Sequence, residues 1–262
     1  KDGHMDAERI GASMREDTIL VSVMLVNNET GAVQPVQDIA KAVRSHSKRR
    51  VHIHADCVQG FGKLPIAVKA LGVDSISASA HKIQGPRGVG LLYLARPIET
   101  LYRGGGQEGG LRPGTENLPG IAGFALAAKK RLGSMEEDWM RASRLKALLL
   151  EGVGRIGGAL VIPDYSEKQA ESYSPYITAL SFPPVPGEVL VRVLSDKGFA
   201  VSTGAACSSK KAGRGRVLEA MGVPKEARDS AIRVSTGFTT REEDIRSFVS
   251  CLEETVRELR PR

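Results

Sequence analysis

Thr18-Ile-Leu-Val-Ser-Val-Met-Leu-Val26 decides the reading of this chain. A nearly continuous apolar run of this length is the pattern of a strand buried on both faces of a parallel sheet. Outward from it, Pro35 sits at a first helical position, and Val36, Ile39, Ala40 and Val43 follow at helical spacing. A strand from Val51 to Ala55 comes next, then a helix from Ile66 to Leu71 stopped by Gly72. Strands near Asp74–Ala78 and Val89–Leu94 complete the unit. Strand alternating with helix predicts an α/β layer with a mainly parallel core. After Leu94 the texture changes. Arg103-Gly-Gly-Gly-Gln-Glu-Gly-Gly110 is a glycine-dense loop shaped by a ligand or a neighbouring chain. A helical region from Leu118 to Leu150, broken near Gly133, leads into strands at Tyr176–Phe182 and Ala231–Ser235. Helices are expected at Glu188–Ser195, Val217–Met221 and Glu242–Leu259. That gives two domains, 1–134 and 135–262, the second smaller and α+β.

Composition bounds the function. The 262 residues are 26% charged and 41% hydrophobic, which excludes disorder, and no apolar run approaches a bilayer span. Three cysteines do not make a disulfide scaffold and favour a reducing, cytoplasmic setting. The net charge of +7 admits nucleic acid as a partner, but 5% aromatic residues are poor material for base stacking. Nucleic-acid binding therefore rests on charge alone, and no direct contact with it is expected.

Five stretches carry chemistry. In Ser79-Ala-His-Lys82 the lysine follows a strand end and precedes a glycine-rich turn, a position suited to a cleft at the carboxyl edge of a parallel sheet. A desolvated amine there is a Schiff-base nucleophile, where a lone loop lysine is ordinarily just solvated. In His52-Ile-His-Ala-Asp-Cys-Val-Gln59, Asp56 ends a strand pointing at the same cleft. Its carboxylate can pair with a protonated ring nitrogen, and Gln59 can donate to a ring oxygen. A helix N-cap is the plain structural role for that aspartate. His52, His54, Asp56 and Cys57 tempt a metal reading, but no second cluster completes such a site and no metal is expected. Asn27-Asn-Glu-Thr-Gly31 is a polar turn at another strand end. In Val201-Ser-Thr-Gly-Ala-Ala-Cys-Ser-Ser209, a thiol among small residues beside Lys210 and Lys211 fits a reactive cysteine. Cys57 and Cys251 read as packing residues. Arg233 sits inside an apolar strand, where an arginine aimed at a cleft recognises a carboxylate.

Taken with Arg112-Pro-Gly-Thr-Glu-Asn117, these motifs resemble, in order and spacing, the cysteine desulfurases of the NifS/IscS kind. That family belongs to the class V aminotransferases and uses pyridoxal phosphate. The resemblance covers essentially the whole chain. It implies the aspartate-aminotransferase-like fold of pyridoxal-phosphate transferases, present as a partial large domain plus the smaller C-terminal one. It implies that Lys82 carries the cofactor covalently and later moves the substrate α-proton. Asp56 would hold the pyridine nitrogen, Gln59 the phenolic oxygen, and Ser79 and His81 the phosphate. Thr115 would reach that phosphate from the partner subunit of a homodimer. Asn28 would face the cofactor and, with Arg233, hold the substrate carboxylate. Cys207 would take sulfur from L-cysteine as a persulfide, leaving L-alanine, and pass it to scaffold or carrier proteins for iron–sulfur clusters or tRNA thiolation.

Two departures stand out. The family's N-terminal stretch, with a histidine that stacks on the cofactor and a phosphate-binding turn, has no counterpart here, and His4 does not replace that histidine. The chain thus reads as a C-terminal part whose remainder could be a separate polypeptide. Thr203 and Ala205 also differ from the commonest serine-rich cysteine loop. Alternatives are a selenocysteine lyase, or a silent fragment keeping only dimer and partner surfaces.

Overall fold

The structure, a computed structural model, describes residues 2–164, 167–204 and 215–260. The chain falls into two compact units. One comprises Met5–Leu25 and Gln34–Met135; the other comprises Lys1–His4, Val26–Val33 and Glu136–Arg262. The turn 26–33 therefore belongs to the C-terminal unit, although both of its sequence neighbours lie in the other.

The first unit runs α1 (Ala7–Ala12), β1 (Leu20–Met24), α2 (Val36–His46), β2 (His52–Asp56), α3 (Val68–Leu71), β3 (Ser75–Ser79), β4 (Gly90–Leu94) and α4 (Leu118–Gly133). Its sheet has the order β1-β2-β3-β4. The first two pairings are parallel, with Met24 opposite Asp56 and Asp56 opposite Ser77. Along β2, Ile53 and Ala55 are buried while His52, His54 and Asp56 turn to the other face. The buried stripe Val36, Ile39, Ala40 and Val43 of α2 adds to the apolar core. Gly72 ends α3 at φ +69°, the left-handed cap a glycine takes without strain.

One expectation needs correction here. β1 is not buried on both faces: Leu20 is 54% exposed and Ser22, on the same face, is exposed too, whereas Val23 on the other face is buried. β4 pairs antiparallel to β3, with Ser79 opposite Gly90. The ten-residue link between them is too short for the crossover that a parallel return needs.

The second unit runs α5 (Met135–Val153), β5 (Leu160–Ile162), β6 (Ile177–Ser181), α6 (Gly187–Asp196), α7 (Arg216–Ala220), α8 (Lys225–Asp229), β7 (Ala231–Ser235) and α9 (Glu242–Leu259). Its antiparallel sheet is ordered β5-β6-β7, and all five residues of the central β6 are buried. Leu145 and Leu149 of α5, Leu190 and Leu194 of α6, and Phe248 and Leu252 of α9 form one core cluster with Leu180 and Ile232 of the sheet. Helix α9 starts where Asp244 Oδ2 accepts the backbone N–H of Arg241 at 2.9 Å, and acidic residues fill its first turn. Among the described residues no helix is long and apolar enough to cross a membrane.

Candidate functional site

The first unit gathers one set of expected residues at the carboxyl ends of β2 and β3. Asp56 closes β2, and its Oδ1 accepts the backbone N–H of Val58 at 2.9 Å, which fixes the half-buried carboxylate in a turn. The N–H of Cys57 donates to Ser77 O at 2.9 Å, and those of Gly60 and Phe61 donate to Cys57 O, so Gln59 is held one turn beyond Asp56. No helix starts at Asp56; its side chain stabilises this turn instead.

On the adjacent strand, Ser79 ends β3 and leads into a single 3-10 turn, Ala80–Ile83. Ala80 and Ile83 are only 0% and 1% exposed, which anchors the turn and sets His81 and Lys82 on its outer side. Lys82 is half-buried and His81 is exposed. Partial desolvation and the cations Lys82 and Arg87 hold the His81 imidazole below its ordinary value. The side chain of Gln84, just past the turn, accepts from Arg131.

Behind Asp56, the polar face of the sheet forms a hydrogen-bonded ladder. His52 Nε2 meets Ser75 Oγ at 2.7 Å, His54 Nδ1 meets the same oxygen at 2.8 Å, and His54 Nε2 meets Ser77 Oγ at 3.2 Å. Burial lowers the pKa of His54 despite the nearby Asp56. Both histidines thus meet serine hydroxyls, and the described residues contain no group of three His, Cys, Asp or Glu side chains that could hold a metal ion. Cys57 is fully buried, and burial together with Asp56 pushes its thiol up to about 12. It is a packing residue.

Lys63 was not legible as part of this site. It is 7% exposed, and burial plus the neighbouring Lys82 bring its pKa down to about 8. Its only sequence signal is a lysine inside the otherwise apolar run Phe61-Gly-Lys-Leu-Pro65, seven residues after Asp56. Thr115 is exposed on the loop between β4 and α4. That loop borders a cavity of about 700 Å³ along β4, lined by Leu92, Leu111, Arg112 and Phe124 among others, and none of the expected cofactor residues lines it.

The second unit gathers the other set. Asn27 organises its turn by accepting at Oδ1 from the N–H groups of Glu29 and Thr30, both at 2.9 Å. Val26 bridges Val33, and Ala32 bridges Tyr173. Gly31, at φ +79°, lets the turn pass where a Cβ would lie 3.0 Å from Ile177 O. The ammonium of Lys146 donates to that oxygen at 3.4 Å and to Ser174 O at 3.2 Å. Arg233, at the centre of β7, donates from Nη1 to Asn28 O at 3.0 Å. Its backbone pairs in both directions with Ser202. The two residues expected to hold a carboxylate are therefore in contact, and the arm leading to the cysteine loop is pinned to one of them. Cys207, with Ala205, Lys210 and Lys211, lies outside the described residues.

Comparison with known proteins shows which family the chain resembles. The aminotransferase class-V family model matches residues 1–248. A cysteine desulfurase IscS of Methanosarcina thermophila is 34% identical, over 99% of this chain and 63% of its own length. One from Anaeromyxobacter sp. (strain Fw109-5) is 40% identical, over 99% of this chain and 63% of its own. Among solved structures, a NifS-like protein superposes with a TM-score of 0.87 at 36% identity, over 98% of this chain and 66% of that one. A NifS-like protein from Rickettsia africae ESF-5 gives 0.84 at 30% identity, over 98% and 68%. The chain thus spans 63% of the length of these two curated relatives.

Proposed function

Because the chain belongs to the class-V aminotransferase family, as a partial NifS/IscS-like protein, we propose that it carries the lysine and the cysteine loop of a pyridoxal-phosphate-dependent cysteine desulfurase. The observation that supports this most is the placement of Asp56 and Lys82 beyond the carboxyl ends of two adjacent parallel strands, where α/β sheets bind ligands. The donor set fits the cofactor. A carboxylate fixed by Val58 N–H suits a ring nitrogen. The cation Lys63 and the Ser79 hydroxyl suit a phosphate.

Pyridoxal phosphate bound there supplies an electron sink for the pair of electrons left when the α-proton departs. Asp56 keeps the ring nitrogen protonated, and Gln59 donates to the ring oxygen. Ser79, His81 and the partner subunit's phosphate-side threonine, Thr115 in this numbering, bind the phosphate. Lys82 holds the cofactor and moves the α-proton. Asn28 and Arg233 orient the substrate carboxylate. Cys207 acts as thiolate: an S–S bond forms to the cysteine sulfur as its C–S bond breaks, and the carbon gains a proton to give alanine. The persulfide then serves sulfur-accepting proteins of iron–sulfur assembly or tRNA thiolation in the cytoplasm.

Leu92 and Tyr93 on β4, and Leu118, Ile121 and Leu126 on α4, are all more than 40% exposed. So much exposed apolar surface supports a partner subunit, or the family's N-terminal region on another polypeptide, covering that face. The test is alanine formation from L-cysteine by the protein with any co-purifying chain. Wild type should release alanine and accumulate Cys207 persulfide, and Lys82→Ala and Cys207→Ala should each lose persulfide formation. Alanine released at wild-type rate by either variant refutes the assignment.

A further inference from the structure

Glu29 is a carboxyl for which the proposed reaction has no use, yet it is 5% exposed. Its Oε2 is buried without a hydrogen-bond partner among the described residues. A Cβ at Gly204 would lie 3.3 Å from that same oxygen, so the carboxyl lies against the arm that leads to the cysteine loop. Arg233 faces it from β7. Burial raises the pKa of Glu29, and the guanidinium pulls it back down.

Among the described residues, the other charged groups around this turn have partners of their own. Asp2 and His4, on the segment packed against Thr30, pair with each other at 3.6 Å. Tyr173 donates to Asp2 O, and Lys146 to the carbonyls of Ser174 and Ile177. Among the described residues, the guanidinium of Arg233 is the cation that favours the charged form of Glu29 against its burial.

We propose that Glu29 is a proton-linked positioning residue of the carboxylate site: a ligand carboxylate that binds Arg233 takes over the guanidinium's charge, and Glu29 then takes up one proton from solvent. This rests on the reading of Arg233 as the carboxylate holder. One guanidinium neutralises one carboxylate, and two carboxylates sharing one buried cation cannot both stay ionised at low cost. The balance is simple, since one proton passes from buffer to the Glu29 carboxyl and no covalent bond to carbon or sulfur changes. Neutralisation happens directly beneath Gly204, so an occupied carboxylate site changes the charge under the root of the cysteine arm.

The test uses propionate, which is alanine without its amine, titrated calorimetrically into the cofactor-loaded protein at several pH values and in buffers of different ionisation enthalpy. Wild type should take up protons on binding propionate, at most one per site, with affinity falling as pH rises by up to about tenfold per pH unit. Glu29→Gln should take up none and bind with an affinity that pH leaves unchanged. Glu29→Asp keeps the linkage testable if the glutamine variant does not fold, and should retain uptake. Wild-type binding without proton uptake, or the same uptake in Glu29→Gln, overturns the inference. Arg233→Lys separates the two layers. If it binds propionate as tightly as wild type, or if wild type does not bind it at all, the carboxylate-site reading falls too. If Arg233→Lys loses binding while wild type takes up no proton, only the role of Glu29 falls.

Discussion

Arg233 Nη1 donates to the backbone oxygen of Asn28 at 3.0 Å, across 205 positions of sequence. The contact orients one end of the guanidinium, and the planar, multi-donor group that the proposed carboxylate site uses is one that the single ammonium of lysine does not reproduce. Arg233→Lys should therefore raise the KM for L-cysteine about 10- to 100-fold, equivalent to roughly 1.4–2.8 kcal/mol, with a smaller change in kcat. Steady-state kinetics over a wide substrate range checks the split. An unchanged KM would place the substrate carboxylate elsewhere.

Gly31 carries the turn that presents Asn28. At φ +79°, with a Cβ position only 3.0 Å from Ile177 O and 3.2 Å from Ser174 O, Gly31→Ala meets both backbone strain and a clash. We expect a loss of roughly 1–3 kcal/mol in urea unfolding. Gly237→Ala is the control, because its added carbon would meet nothing nearer than Thr240 Oγ1 at 3.9 Å. Equal midpoints for the two variants would show that the turn tolerates a side chain at Gly31.

Lys63 gives the fold a pH dependence with a definite sign. Burial and Lys82 bring its folded pKa down to about 8 from 10.5. Between those values the unfolded chain binds more protons than the folded one, so stability rises with pH through the window. Lys63→Met removes that contribution. Measured against the variant, wild type should gain roughly 1–3 kcal/mol between pH 8 and pH 10. Cys57 and Tyr173, both pushed up to about 12, act in the opposite sense but are common to the two proteins and cancel in the difference. Parallel pH profiles would mean that Lys63 keeps its proton in the folded state throughout.

How much of this was legible beforehand depends on the range of the interactions involved. β7 and α9 match the sequence reading residue for residue, because strand alternation and the 245, 248, 252, 256 spacing are local signals. The motifs around Asp56 and Lys82 were legible for the same reason: each lies within a few residues of a strand end. The exposed face of β1 is not encoded in its apolar run, because burial of a face depends on what packs over it. The direction of β4 follows from the length of one connection. Short elements such as α1, β5 and α8 carry too few residues for periodicity to register. Glu29 and Lys63 escaped notice as site residues because burial makes them unusual, and that burial comes from long-range packing: Glu29 faces Arg233 from the other end of the chain.

The central claim is that Lys82, and not the other buried lysine of the site, holds pyridoxal phosphate. Borohydride reduction of the cofactor-loaded protein, followed by peptide mass spectrometry, tests it directly. The pyridoxyl group should be found on Lys82, with Lys63 unmodified, and Lys82→Ala should lose both the label and the visible absorption band. A label on Lys63, or a visible band that survives in Lys82→Ala, would contradict the account.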